Sequence, residues 1–140
     1  MLSRSDKKAI DMFVMENGLY DPMESYGRCT SLSKQIMATI PGSRLITGLG
    51  FCGVMAKDAH PSYTRYPKWI SHTVVIVGDD IVDVTSSQFG SKYLGVHSDI
   101  SEFSEMWKAI VEDCLPSNFL DKATAERRYG LLPYFDIERF

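Results

Sequence analysis

A chain of 140 residues with 44% hydrophobic and 24% charged residues has the composition of an ordinary globular domain, and its length suffices for one real core. Those figures exclude a disordered chain, a collagen-like repeat and a disulfide-dense miniprotein. Fifteen Lys plus Arg against eighteen Asp plus Glu leave a net charge of -3, which argues against nucleic acid or an anionic membrane as a partner of the whole surface.

Cys29, Cys52 and Cys114 are an odd set without CxxC spacing, which points to a reducing compartment. No run approaches the roughly 18 apolar residues of a bilayer span. Residues 1–11 lack the apolar stretch of a secretory signal. The expectation is a cytoplasmic protein.

Ile10, Phe13 and Val14 share one face of a helix predicted over residues 5–16, with Ser5 as N-cap and Gly18 as the stop. Residues 19–28 carry Asp21-Pro22 and Gly27 and read as a loop. Cys29, Leu32, Ile36, Met37 and Ile40 recur at helical spacing up to Pro41-Gly42. Residues 44–55 are apolar, partly β-branched and interrupted by glycines, which predicts one or two short strands. Residues 57–68 hold Pro61 and Pro67 and read as a loop. Residues 72–77 and 80–85 are β-branched runs separated by Gly78-Asp79, a favoured two-residue hairpin loop.

Asp99 followed by Glu102 predicts a helix start. That helix runs to Cys114, with Phe103, Met106, Trp107 and Ile110 as a core-facing stripe. Residues 117–140 contain a short helical stretch around 123–129, with Arg127-Arg128 on a solvated face, and an apolar tail. The fold class expected is α+β, with N-terminal helices packed on a small antiparallel sheet. The chain reads as a single compact domain over 1–140, with a catalytic core at about 19–96 and a C-terminal helical segment and tail at 99–140.

Cys29 opens a predicted helix directly after Gly27-Arg28. Free amides and the positive dipole end favour a thiolate there, and the same amides can hold an oxyanion. A two-residue loop pairs Val77 with Asp80, so His72 faces Thr85 and Asp83 faces Val74. His72 and Asp83 are then diagonal neighbours on one face, with Cβ atoms about 7–8 Å apart or less. A three-residue loop would put them on opposite faces. A carboxylate in an apolar strand needs a partner. His72 is the nearest one, and Asp83 would fix its tautomer and stabilise the imidazolium.

The segments GRCTSLSKQIM, SRLITGLGF and SHTVVIVGDDIVDVTSSQFG together resemble the transglutaminase-like branch of the papain-like thiol enzymes, over residues about 27–90. The resemblance implies a papain-like/transglutaminase-like core, Cys29 as nucleophile, His72 as general base and Asp83 as orienting acid. Many papain-like enzymes take an oxyanion donor from a glutamine before the cysteine. Here the first glutamine is Gln35, so that donor falls to Tyr26 or Trp69, with Gln88 as a further polar group near the substrate. Residues 57–68 and 86–96 are expected to border the cleft.

Gly48 to Gly53 formally match GxGxxG, but no helix and acid follow at dinucleotide-site spacing. Cys52, His60, His97 and Cys114 lack the spacing of a tetrahedral site, so neither a cofactor nor a metal is expected. Cys52 and Cys114 are expected in apolar surroundings, and His60 is a second-choice base without an orienting acid. The function expected is a thiol hydrolase of the transglutaminase-like type that hydrolyses or deamidates an amide bond in a protein or peptide substrate. The alternative is a catalytically inactive protein-binding module on the same scaffold, favoured by the missing glutamine and the short chain.

Overall fold

The computed structural model describes residues 2–52, 58–65, 68–91 and 95–114, with side chains at all of these except 49–52, 64–65, 68–70 and 109–114. The first helix, α1, spans Arg4–Glu16. Ser3, rather than Ser5, caps it: its hydroxyl accepts the Asp6 N–H at 3.0 Å, and the Asp6 carboxylate accepts the Ser3 N–H at 3.4 Å, a reciprocal capping box. Gly18, at φ +66°, turns the chain out of the helix after Asn17. Residues 19–28 are not all loop. Asp21 accepts the Met23 N–H at 2.9 Å and Pro22 takes the first helical position, giving the one-turn helix α2, Pro22–Ser25. The Asp-Pro pair that marks a turn marks a helix start equally well. Helix α3, Cys29–Thr39, begins at the cysteine as expected.

Four antiparallel strands follow in the spatial order β1-β2-β3-β4: Arg44–Cys52, Lys68–Val77, Asp80–Val82 and His97–Asp99. The first is one continuous strand. Between it and β2, where the prolines predict a loop, Pro61–Arg65 form a short helix, α4, with proline at its start, where a missing N–H costs no bond. His72 lies within β2 rather than at its start. Strand β4, with the polar sequence HSD, carries no alternation that sequence could reveal.

Val77 pairs with Asp80, as the two-residue loop requires, and Gly78 holds φ +59°. Strand β3 parts from β2 after the Val75–Val82 pair, sooner than the expected run to residue 85. The Asp83 N–H donates to the Val96 carbonyl at 2.8 Å, and Ser86–Phe89 wind into a 3-10 turn, η1.

The alternation of the strands separates two buried faces. Leu45, Val75, Val77, Val82 and Val84 pack with Ile10 and Val14 of α1 and with Leu32 and Ile36 of α3. Ile46, Val74, Ile76 and Ile81 alternate with them and are also buried, as are Phe103 and Trp107 of the last helix, α5, Ile100–Cys114. The N-terminal helices thus pack on one face, and α5 brings its aromatic residues to the other. Helix α5 starts as predicted, with Asp99 Oδ1 accepting the Glu102 N–H at 2.8 Å, and is tied to the hairpin turn by the Ile100 N–H donating to the Asp79 carbonyl at 2.9 Å. The expectations for residues 115–140, and for the side chains of Cys52, Ile110 and Cys114, lie outside the described residues. Among the described residues no helix is long and apolar enough to cross a membrane.

Gly78 sits where an L side chain is strained. Gly78→Ala is expected to cost about 1–2 kcal/mol, read as a lower denaturant midpoint with an unchanged slope.

Candidate active site

Cys29 owes its position to a tight corner. Gly27, at φ +75°, turns the chain from α2 into α3, a conformation that disfavours a side chain although a Cβ there would meet nothing within 4 Å. The Ser25 hydroxyl donates to the Leu19 carbonyl at 2.7 Å and lies 2.6 Å from the Ser87 hydroxyl, bracing this corner against η1. Arg28 occupies the N-cap of α3 without a side-chain cap bond. The first amides of α3 are therefore not taken by a capping side chain.

The predicted diagonal contact is made. His72 Nε2–H donates to Asp83 Oδ2 at 2.8 Å, with both side chains 1% exposed. Asp83 Oδ1 is buried and has no hydrogen-bond partner among the described residues, so the imidazolium is what compensates this carboxylate. The ring is also enclosed by aromatic residues. Phe89 of η1 meets it at 90° and 4.9 Å between centroids, and Trp107 of α5 lies nearly parallel to it, at 17° and 5.2 Å.

Cys29 approaches from the other side of the sheet. Thr73, next to His72, is turned toward α3: its Oγ1 accepts from Thr30 Oγ1 at 3.2 Å, and its carbonyl accepts from Ser33 Oγ at 3.2 Å. The thiol nevertheless reaches both the Thr73 N–H and the His72 ring. The contact falls beside the stretch of β2 that β3 no longer covers. With Nε2 bonded to Asp83, the ring nitrogen left for the sulfur is Nδ1.

Burial pushes the Cys29 thiol up, but the hydrogen bond and positive charge of His72 and the Thr73 N–H outweigh it, and the thiol is lowered to about 7. Burial likewise pushes His72 down, and the Asp83 charge and hydrogen bond, followed by Cys29, outweigh it and raise the ring to about 9. Between these values the site holds a thiolate and an imidazolium, with Asp83 behind the ring.

The structure corrects the expectation for Gln88. Its side chain is buried, with Oε1 accepting the Tyr63 hydroxyl at 2.5 Å and Nε2 donating to Thr85 Oγ1 at 3.0 Å. The two ends of the amide thus tie α4 to the start of η1 inside the protein. Tyr26 stacks flat on His60, at 8° and 3.9 Å, and ring contacts continue through Tyr63 and Phe89 to His72. His60 and Tyr63, together with Phe89 of η1, thus form a run of rings that ends on His72. His60 accepts the Ser62 N–H on Nδ1 and belongs to this aromatic wall. The side chain of Trp69 lies outside the described residues. Sequence reasoning assigned Trp107 to the core alone and missed its contact with His72. Gly48, which the β1–β2 pairing places opposite His72, contributes no side chain there, and that pairing is not readable from a local turn.

The rate of Cys29 alkylation by iodoacetamide is expected to rise with a midpoint of about pH 7. Asp83→Asn removes the charge that holds the proton on His72, and the midpoint is expected to move up toward that of an ordinary thiol. In comparisons with known proteins, the chain matches no family model, no curated protein and no solved structure.

Proposed function

We propose that this chain is a thiol-dependent acyl-transfer enzyme that hydrolyses or deamidates an amide bond of a protein or peptide. The observation that carries the reading is the joint placement of Cys29, His72 and Asp83, with the thiol lowered to about 7 at the start of a helix that lacks a side-chain cap. The likeness of residues about 27–90 to the papain-like, transglutaminase-like enzymes supports the same roles and the same core.

In this mechanism Cys29 Sγ attacks the carbonyl carbon, and the first amides of α3 face the oxyanion that forms. The C–N bond breaks as His72 Nδ1 hands its proton to the leaving nitrogen, which departs as an amine or as ammonia. Water then attacks the thioester and gives a proton to Nδ1, releasing the acid and restoring the thiol pair. Asp83 keeps the ring in the tautomer and orientation that both proton transfers need.

An activated ester tests this without knowledge of the natural substrate. The expected outcome is a burst of released alcohol and an acyl mass increment on Cys29, absent in Cys29→Ala, which keeps the wild-type circular dichroism. His72→Ala is expected to slow acylation by on the order of 10²–10⁴-fold. No adduct on Cys29, with equally slow alkylation of Cys29, Cys52 and Cys114, would overturn the reading and leave the protein-binding scaffold.

A further inference from the structure

Trp107 belongs to a helix outside the segment that resembles the thiol enzymes, yet its indole lies against the base of the site. The two ring planes are 17° apart and the centroids 5.2 Å apart, inside the distance at which a cation is attracted to an indole face. We propose that Trp107 is a positioning residue of the site: its π face lies on the imidazolium of His72 and stabilises the charged ring, while Asp83 holds the ring edge. The inference rests on the acyl-transfer reading and adds the residue that makes α5 part of the machinery.

Three features of the fold support it. Gly48 is directly opposite His72 in the β1–β2 pairing. Directly opposed residues share a face, with Cβ atoms about 4.5–5.5 Å apart, so any side chain at 48 would stand beside the imidazole on the α5 face. Trp107 is 0% exposed and is itself backed by Phe103 at 9° and 6.4 Å, which fixes the plane of the indole. Helix α5 is anchored at its start through the Ile100 N–H on the Asp79 carbonyl, so the turn that sets the His72–Asp83 register also anchors Trp107.

Among the described residues, the ionisable groups facing the His72 ring are Asp83, just after β3, and Cys29, on α3. From η1 it meets Phe89, from α5 Trp107 and from β1 Gly48. Among the described residues, the cation on the ring thus has a carboxylate, a thiolate and an indole face beside it. An aliphatic residue at 107 would preserve much of the burial while removing the quadrupole, and a phenyl ring would retain part of it.

Nitrogen NMR of His72, assigned with a His72→Gln variant among the three histidines, reads the ring charge directly. The ring is expected to lose its proton at about pH 9 in the wild type. Trp107→Leu is expected to lower that value by roughly half a unit to one and a half units, and Trp107→Phe by less. Should the leucine variant fail to fold, fluorinated tryptophans decide the matter, because each added fluorine weakens the π face with little change of shape. The same series in Trp69→Phe, which removes the second of the two tryptophans, isolates position 107. A graded fall with fluorination supports the proposal. A wild-type ring charged above neutrality and indifferent to fluorination overturns the role of Trp107 alone, whereas a wild-type ring already neutral at pH 7 overturns the thiolate–imidazolium site with it.

Discussion

Holding an imidazole and a carboxylate together at 1% exposure costs several kcal/mol of desolvation for each charge before their attraction is counted. The His72–Asp83 contact answers that cost with a 2.8 Å charge-assisted bond. Removing one partner would strand the other, so the pair is kept or lost as a unit. The thiol depends on it in turn. Cys29 is half-buried, and burial alone would keep it protonated. The charge that Asp83 sustains on His72 is what makes a thiolate favourable. The ring's folded pKa is raised from 6.5, so its contribution to stability is complete below 6.5 and fades as pH passes about 9. The thiol's folded pKa is lowered from 9.0, so its contribution is complete above 9.0 and fades as pH falls through about 7. The doubly charged form predominates between about 7 and about 9.

The fold creates this contact by ending a strand early. A two-residue turn puts His72 and Asp83 on one face, and helices α1 and α3 pack on the opposite one. A continuous β2–β3 ladder would separate Cys29 from the ring. Because β3 leaves β2 after Val82, the thiol meets the Thr73 amide and the His72 ring beside that open stretch. On the far side α5 brings Trp107 against the His72 ring. The segment expected to follow the catalytic core therefore contacts a buried residue within it, His72.

Much of this was legible in the sequence because local chemistry and tertiary demand agree. Gly78-Asp79 sets a turn, the turn sets the register, and the register places an acid diagonally from a histidine. Cys29 after Gly27-Arg28 announced a helix start, and Asp99 with Glu102 announced another. The failures have equally physical causes. Ser3 and Ser5 are both competent caps, and only the reciprocal bond with Asp6 decides for Ser3. Asp21-Pro22 suits a turn and a helix start alike. Strand β4 has no hydrophobic alternation, since its three residues pair at an edge rather than cross the core. Gln88 looked available because sequence does not show that Tyr63 and Thr85 engage both ends of its amide. Trp107 read as core, which it is; its second role follows only from the strand beneath it.

Where the protons sit in the Cys29–His72–Asp83 cluster is the most direct test, and neutron diffraction from deuterium-exchanged crystals at about pH 8, between the limits of about 7 and about 9, locates them. The account predicts deuterium on both nitrogens of His72 and none on Cys29 Sγ. Deuterium on the sulfur with a singly labelled ring would contradict it.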